Sequence, residues 1–198
     1  MAELEPKNEA RERVLDAAER LFAQKGYSAV TLRDIAAEVG IRHTSLYHHV
    51  PGGKEELFIE VTERNLDRHR NGLAEAVAGS EANIRARLCA VADWLLSQPP
   101  MDLVRMVYSD MPAIDQAQAF RLSELAYTSI LVPLEIELIQ ARTRGEIDHP
   151  NLGLVAGGLL GMLEGLHAIP DYALTESRQT MAYQLIDVML DGLRPAKL

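Results

Sequence analysis

Between Arg42 and His48 the chain sets Arg42, His43, Thr44, Ser45, Tyr47 and His48 around a single apolar residue, Leu46. Hydrogen-bonding side chains of such mixed reach suit the reading of base edges in a major groove, or a grip on phosphate, better than bond-making chemistry. Candidates for bond-making are sparse. Glu164 and His167 stand one helical turn apart, a spacing at which two side chains share a proton or a metal. With no third ligand beside them, a hydrogen-bonded pair is expected and no metal site. The chain shows no Gly-rich phosphate loop, nucleophile elbow or zinc-protease helix, so neither catalytic residues nor a cofactor is expected. Cys89 is the single cysteine, which excludes an intramolecular disulfide and a Cys-based zinc site.

The elements that must hold the polar cluster can be traced on either side of it. Thr31 stands where a helix should begin, and Asp34 three residues on completes a capping box. Ile35, Ala36 and Val39 give that helix a narrow apolar stripe, and Gly40 can take the left-handed conformation that turns the chain sharply. A second helix is expected over Arg42–His49, burying little beyond Ile41, Leu46 and Val50, until Pro51 stops it. Gly52 and Gly53 follow, and Lys54 opens a further helix, where free amides and a cation make an anion site. Upstream, Val14, Ala18, Leu21 and Phe22 recur at helical spacing, predicting a first helix over about Glu9–Lys25, ended by Gly26. Phe22, Tyr27 and Phe58 are expected in the core of this small unit. Residues 1–8 read as a flexible, charged arm.

The segment AAERLFAQKGYSAVTLRDIAAEVGIRHTSLYHHV, followed by KEEL, resembles the DNA-binding domain of the TetR/AcrR family of transcriptional regulators. The resemblance spans about the first third of the chain. It implies an all-α protein: a three-helix helix-turn-helix domain (9–53), a connecting helix (54–79), and a larger effector-binding and dimerisation domain (80–198). It also implies a homodimer on a palindromic double-stranded DNA operator, acting as a repressor that a small apolar or amphipathic effector releases. On this pattern Arg42, His43, Thr44, Ser45 and Tyr47 contact the duplex, while Thr31, Arg33, His48 and Lys54 hold phosphates. Two departures stand out: Arg42 replaces a small helix-capping residue, and PGGK is one residue longer than the commoner turn. The alternative is a small-molecule-binding or enzymatic helical protein that binds no operator.

The charge balance looks unfavourable for DNA until it is divided. The 198 residues carry a net charge of −9, but residues 1–70 hold 11 Lys and Arg against 13 Asp and Glu, so most of the acid lies further on. Distribution matters more than total, and modest non-specific affinity is expected. His43, His48, His49 and His69 are assigned to DNA or solvent, and the run Glu63–Arg70 to a solvated face. The N-terminus lacks a signal-peptide core and no apolar run is long enough to span a bilayer, so a cytoplasmic protein with no membrane partner is expected.

Past Gly79, Ile84, Leu88, Val91 and Leu95 mark one helix, ended by Pro99 and Pro100. Another is expected from about Asp115 to Arg144, with Leu122, Leu125, Leu134 and Leu138 buried and a kink at Pro133. In the helix Leu152–Ile169, Gly157, Gly161 and Gly165 recur at every fourth position. Each costs about 1 kcal/mol relative to alanine, which calls for a reason such as close approach of another helix. With Leu185, Ile186 and Met189 of a last helix, about Thr175–Leu193, they are expected to form the dimer interface, as half of a four-helix arrangement. Trp94, Met106, Tyr108, Met111, Phe120, Tyr127, Met162, Glu164 and His167 are candidates for the effector pocket that the resemblance implies, flexible methionines suiting ligands of varied shape.

Overall fold

The computed structural model describes residues 5–194, among which no β-strand occurs. Ten α-helices run in order: α1 (Glu5–Lys25), α2 (Leu32–Val39), α3 (His43–Leu46), α4 (Gly53–Ala78), α5 (Ile84–Ser97), α6 (Leu103–Arg105), α7 (Gln116–Ala126), α8 (Val132–Thr143), α9 (Leu152–His167) and α10 (Arg178–Gly192). Residues 1–4 of the expected arm lie outside the described residues, and 5–8 already belong to α1.

Packing divides the chain into two units, one made of residues up to Asn65 together with Met101–Glu124, the other of Leu66–Pro100 together with Leu125 onward. In the first, Val14, Ala18, Leu21 and Phe22 of α1 pack with Ile35, Ala36 and Val39 of α2, with Leu46 and Val50, and with Leu57, Phe58 and Val61 of α4. Phe22 meets Phe58 edge-on at 5.2 Å, and Tyr27 lies 4.9 Å from Phe58. The segment 101–124, expected within the C-terminal domain, joins this unit because Met111, Ile114 and Leu122 are buried in the same core. Arg105 and Asp110 add a polar latch. The Asp110 carboxylate accepts the Tyr27 amide at 2.8 Å, and Arg105 donates to the Phe22 and Ala23 carbonyls, at 3.2 and 2.8 Å, at the end of α1. Gly26, with φ 80°, lets the latch close, since a Cβ there would sit 3.0 Å from the Arg105 side chain and 3.1 Å from the Asp110 carboxylate.

The charge run on α4 is partly tied down instead of solvated. Arg64 bridges Glu12 and Asp16 of α1, and Glu63 pairs with Arg121. His69 is buried, contrary to its assignment to DNA or solvent, and faces Trp94 edge-on at 6.4 Å. Trp94 also lies over Gly72, where a Cβ would meet the indole at 2.1 Å.

In the second unit Ile84, Leu88, Val91 and Leu95 are all buried, as their spacing requires. Arg85 on α5 grips Asp187 on α10 through two bonds of 2.6 and 2.9 Å, and Tyr183 donates to Asp93. The helix expected over 115–144 is interrupted, α7 passing into α8 through a wider π turn at Tyr127–Leu131. Leu134 and Leu138 are buried in this unit and Leu122 in the core of the first, as expected, whereas Leu125 is half-buried.

Candidate nucleic-acid interface

The capping box forms. Thr31 Oγ1 accepts the Asp34 amide at 3.2 Å, and the Asp34 carboxylate accepts the Thr31 amide at 2.8 Å. The Thr31 hydroxyl, and then its amide, hold the Asp34 carboxyl below the ordinary carboxylate range. Gly40 ends α2 with φ 77°; its amide reaches the Ala37 carbonyl and that of Ile41 reaches Ala36, the double bond that closes a left-handed helix end.

α3 is shorter than the expected Arg42–His49. Only His43–Leu46 is α-helical, and the chain then continues as turns closed by His48 to Ser45 and His49 to Leu46. Both ends explain this. Arg42 occupies the N-cap without a side-chain cap, and Pro51 disfavours helical geometry at Val50. What holds the segment is packing, since Leu46 is fully buried and Val50 nearly so. Around these anchors Arg42, Thr44, Tyr47 and His48 are exposed, while His43 and Ser45 are half-buried. Tyr47 is 48% exposed, and its ring meets His43 edge-on at 5.2 Å.

Two of the expected phosphate holders are engaged elsewhere. The Thr31 hydroxyl donates to Asp34 at 2.7 Å, so its first role is to start α2. Lys54 Nζ lies 4.1 Å from the centre of the Tyr27 ring, and burial lowers its pKa despite the nearby Asp110 charge. Its cation is therefore turned onto an aromatic face. Arg33 is exposed on α2 and keeps its reach.

The other expected site residues are scattered. Met111 belongs to the core of the first unit, which removes it from any pocket wall, and Tyr108 and Phe120 of the same unit are exposed. Met106 packs half-buried against that core. Trp94, Met162, Glu164 and His167 are half-buried in the second unit, where exposed Tyr127 donates to Glu135 at 3.2 Å. Of the expected dimer contacts, Ile186 is fully buried within its own chain and can offer nothing to a partner. Leu185 and Met189 are half-buried. Gly157, Gly161 and Gly165 are exposed, and a Cβ at any of them would meet nothing within 4 Å. Leu154 and Val188 are exposed on α9 and α10, three residues from Gly157 and Leu185.

A helix anchored by Leu46, with its polar side chains turned outward behind a glycine corner, defines a helix-turn-helix DNA-binding domain. Residues 14–61 match the family described as bacterial regulatory proteins, tetR family. LmrA of Bacillus subtilis, an HTH-type transcriptional regulator, is 41% identical over 69 residues, covering 35% of this chain and 37% of its own. The HTH-type transcriptional repressor KstR2 of Rhodococcus jostii is 41% identical over 85 residues, 43% of this chain and 41% of its own. These matches span less than half of either relative, and both relatives are named as regulators of transcription. The TetR-family regulator PfmR of Thermus thermophilus shares the fold at a TM-score of 0.71, with 23% identity over 92% of this chain and 100% of its own.

Proposed function

We propose that the protein is a homodimeric transcriptional repressor that binds a palindromic operator through α2 and α3 of each subunit and is released by a small apolar or amphipathic effector. The observation that carries this reading is the exposure of Arg42, Thr44, Tyr47 and His48 around a buried Leu46, which presents to solvent hydrogen-bonding side chains of the mixed reach that base edges and phosphates call for. The repressor named among the relatives supports the direction of control.

Dimerisation is supported by the glycine stripe on α9. Gly157, Gly161 and Gly165 have no neighbour among the described residues that would need their smallness, so a second chain is the partner that does. Leu154, Leu185, Val188 and Met189 supply apolar surface beside it. Two heads on a two-fold axis read half-sites one helical turn, about 34 Å, or a multiple of it, apart. In the C-terminal region Trp94, Tyr127, Met162, Glu164 and His167 are the proposed effector contacts. α4 is the proposed lever, being one unbroken helix of 26 residues. An effector that favours a different spacing of the heads weakens operator binding in proportion to its differential affinity for the two states. Operator binding places the protein in the cytoplasm, and among the described residues no helix is long and apolar enough to cross a membrane.

Footprinting of the DNA upstream of the protein's own gene tests the reading. A symmetric, salt-sensitive protected site is expected. Absence of protection at low salt overturns it and favours a ligand-binding helical protein without an operator.

A further inference from the structure

The arginines of the first unit divide sharply by what they touch. Arg11 pairs with Glu60, Arg20 with Glu38, Arg64 with Glu12 and Asp16, and Arg121 with Glu63. Arg13 donates to the Val39 carbonyl, and Arg105 serves the latch. Among the described residues of this unit, Arg33 and Arg42 are the arginines with no internal hydrogen bond or ion pair, and both are exposed. Arg42 stands, moreover, at a position where a short polar side chain would do structural work. It is the N-cap of α3 with an extended backbone, φ −69° and ψ 140°, yet its side chain caps nothing. A serine, threonine, aspartate or asparagine there would accept an amide of the first turn of a helix that spans only four residues.

We infer that Arg42 is a specificity-determining residue that reads a guanine in each half-site, and that Arg33 is its phosphate-holding counterpart; the inference rests on the operator-binding reading above. The assignment follows from position. In a helix-turn-helix the first residues of the second helix meet base edges, while the first helix crosses the backbone. Arg42 opens α3, and Arg33 lies in the first turn of α2. A guanidinium on a base edge finds its best match in guanine, whose O6 and N7 accept two parallel bonds. The uncapped start of α3 is then the structural counterpart of a base contact that a short capping residue could not reach.

Selection of binding sites from a randomised duplex library with the full-length protein, repeated for Arg42→Ser and Arg33→Ala, tests this. The wild-type consensus should contain a symmetric G·C pair that disappears with Arg42→Ser while the other positions persist. Loss of discrimination there should be roughly 5- to 150-fold, the range of one good bidentate contact. Arg33→Ala should weaken all sequences alike and lower the salt slope by about one per subunit. Arg42→Ser should melt no lower than wild type, because serine restores the cap. An Arg42→Ser consensus identical to wild type, uniform weakening with a lowered slope, or a clearly lower melting temperature would each overturn the role given to Arg42 and leave operator binding intact. A wild-type protein that selects no sequence at all would overturn both.

Discussion

Replacing Asp110 tests whether the 101–124 segment is held to the helix-turn-helix unit by the latch described above. The carboxylate is 4% exposed, accepts the Tyr27 amide at 2.8 Å through one oxygen, and faces Arg105 Nε at 3.4 Å through the other. Asp110→Ala strands the amide, which costs about 1–3 kcal/mol for a buried donor. It also removes a charge partner from an arginine whose side chain is only 23% exposed. Breaking a buried pair on one side costs about 3–5 kcal/mol in the extreme, but Arg105 keeps Asp102 and the two α1 carbonyls, so a total of about 2–4 kcal/mol is expected. Asp110→Asn keeps an acceptor for Tyr27 and gives up only the charge, so it should cost about half as much. At 2–4 °C per kcal/mol for a chain of this size, the alanine variant should melt roughly 4–16 °C lower.

Circular dichroism would follow the melt, and hydrogen exchange at the Tyr27 amide would report the latch directly. Exchange should accelerate strongly in Asp110→Ala and mildly in Asp110→Asn. If both variants stay within about 0.5 kcal/mol of wild type, the size of an ordinary surface change, the segment is held by Met111, Ile114 and Leu122 alone. If both are equally damaged, the charge matters and the amide acceptor does not.

Other outcomes follow from the same geometry. Gly161→Leu should leave the subunit folded, because its Cβ meets nothing within 4 Å, and should split the proposed dimer in sedimentation analysis; a persistent dimer at micromolar concentration would place the interface elsewhere. Tyr47→Ala should weaken operator binding by about tenfold or more, equivalent to ~1.4 kcal/mol, with an unchanged melt, and full retention of the operator would remove Tyr47 from the interface. Acid should destabilise the fold below the ordinary carboxylate range. The Arg85 hydrogen bonds hold the Asp187 carboxyl low, and Glu146 is held low by the Ile84 amide and Arg144, which together outweigh its burial. Because these folded-state values lie below the unfolded ones, the unfolded chain takes up protons first as pH falls. Their stabilisation is complete above about pH 5 and is lost as pH drops through the lowered values. Arg85→Ala should flatten that acid limb, and an unchanged pH profile would refute the assignment.

The reading head was legible in the sequence because its signals are local. A capping box needs only Thr31 and Asp34 in register, and a left-handed corner needs only Gly40, so pattern and structure coincide there. Where side chains are spent was less legible. Nothing local says that Lys54 lies over Tyr27, or that Arg33 and Arg42 are left without an internal partner. Each depends on which distant group arrives first. The same limit hid the destination of 101–124. The apolar residues Met111, Ile114 and Leu122 announce a buried face but not which core receives it, and the deciding groups, Tyr27 and the end of α1, lie more than eighty residues earlier.

The proline at 133 follows directly on a change in the backbone hydrogen-bond ladder. A proline ring collides with the carbonyl four residues before it, so a kink is the expectation for a straight α-helix. Here the Val132 amide reaches back five residues to Tyr127, a wider turn than an α-helix makes, immediately before the ring. The same solution appears a second time. The Met111 amide reaches five residues back to Met106, immediately before Pro112, in the segment that docks on the reading head. Two prolines, one in each unit, are thus each preceded by a π turn. Past Pro133 the chain continues as α8 and keeps Leu134 buried, whereas past Pro112 it leaves helical geometry at Ile114, so the widened turn precedes a helix in one case and a helix end in the other.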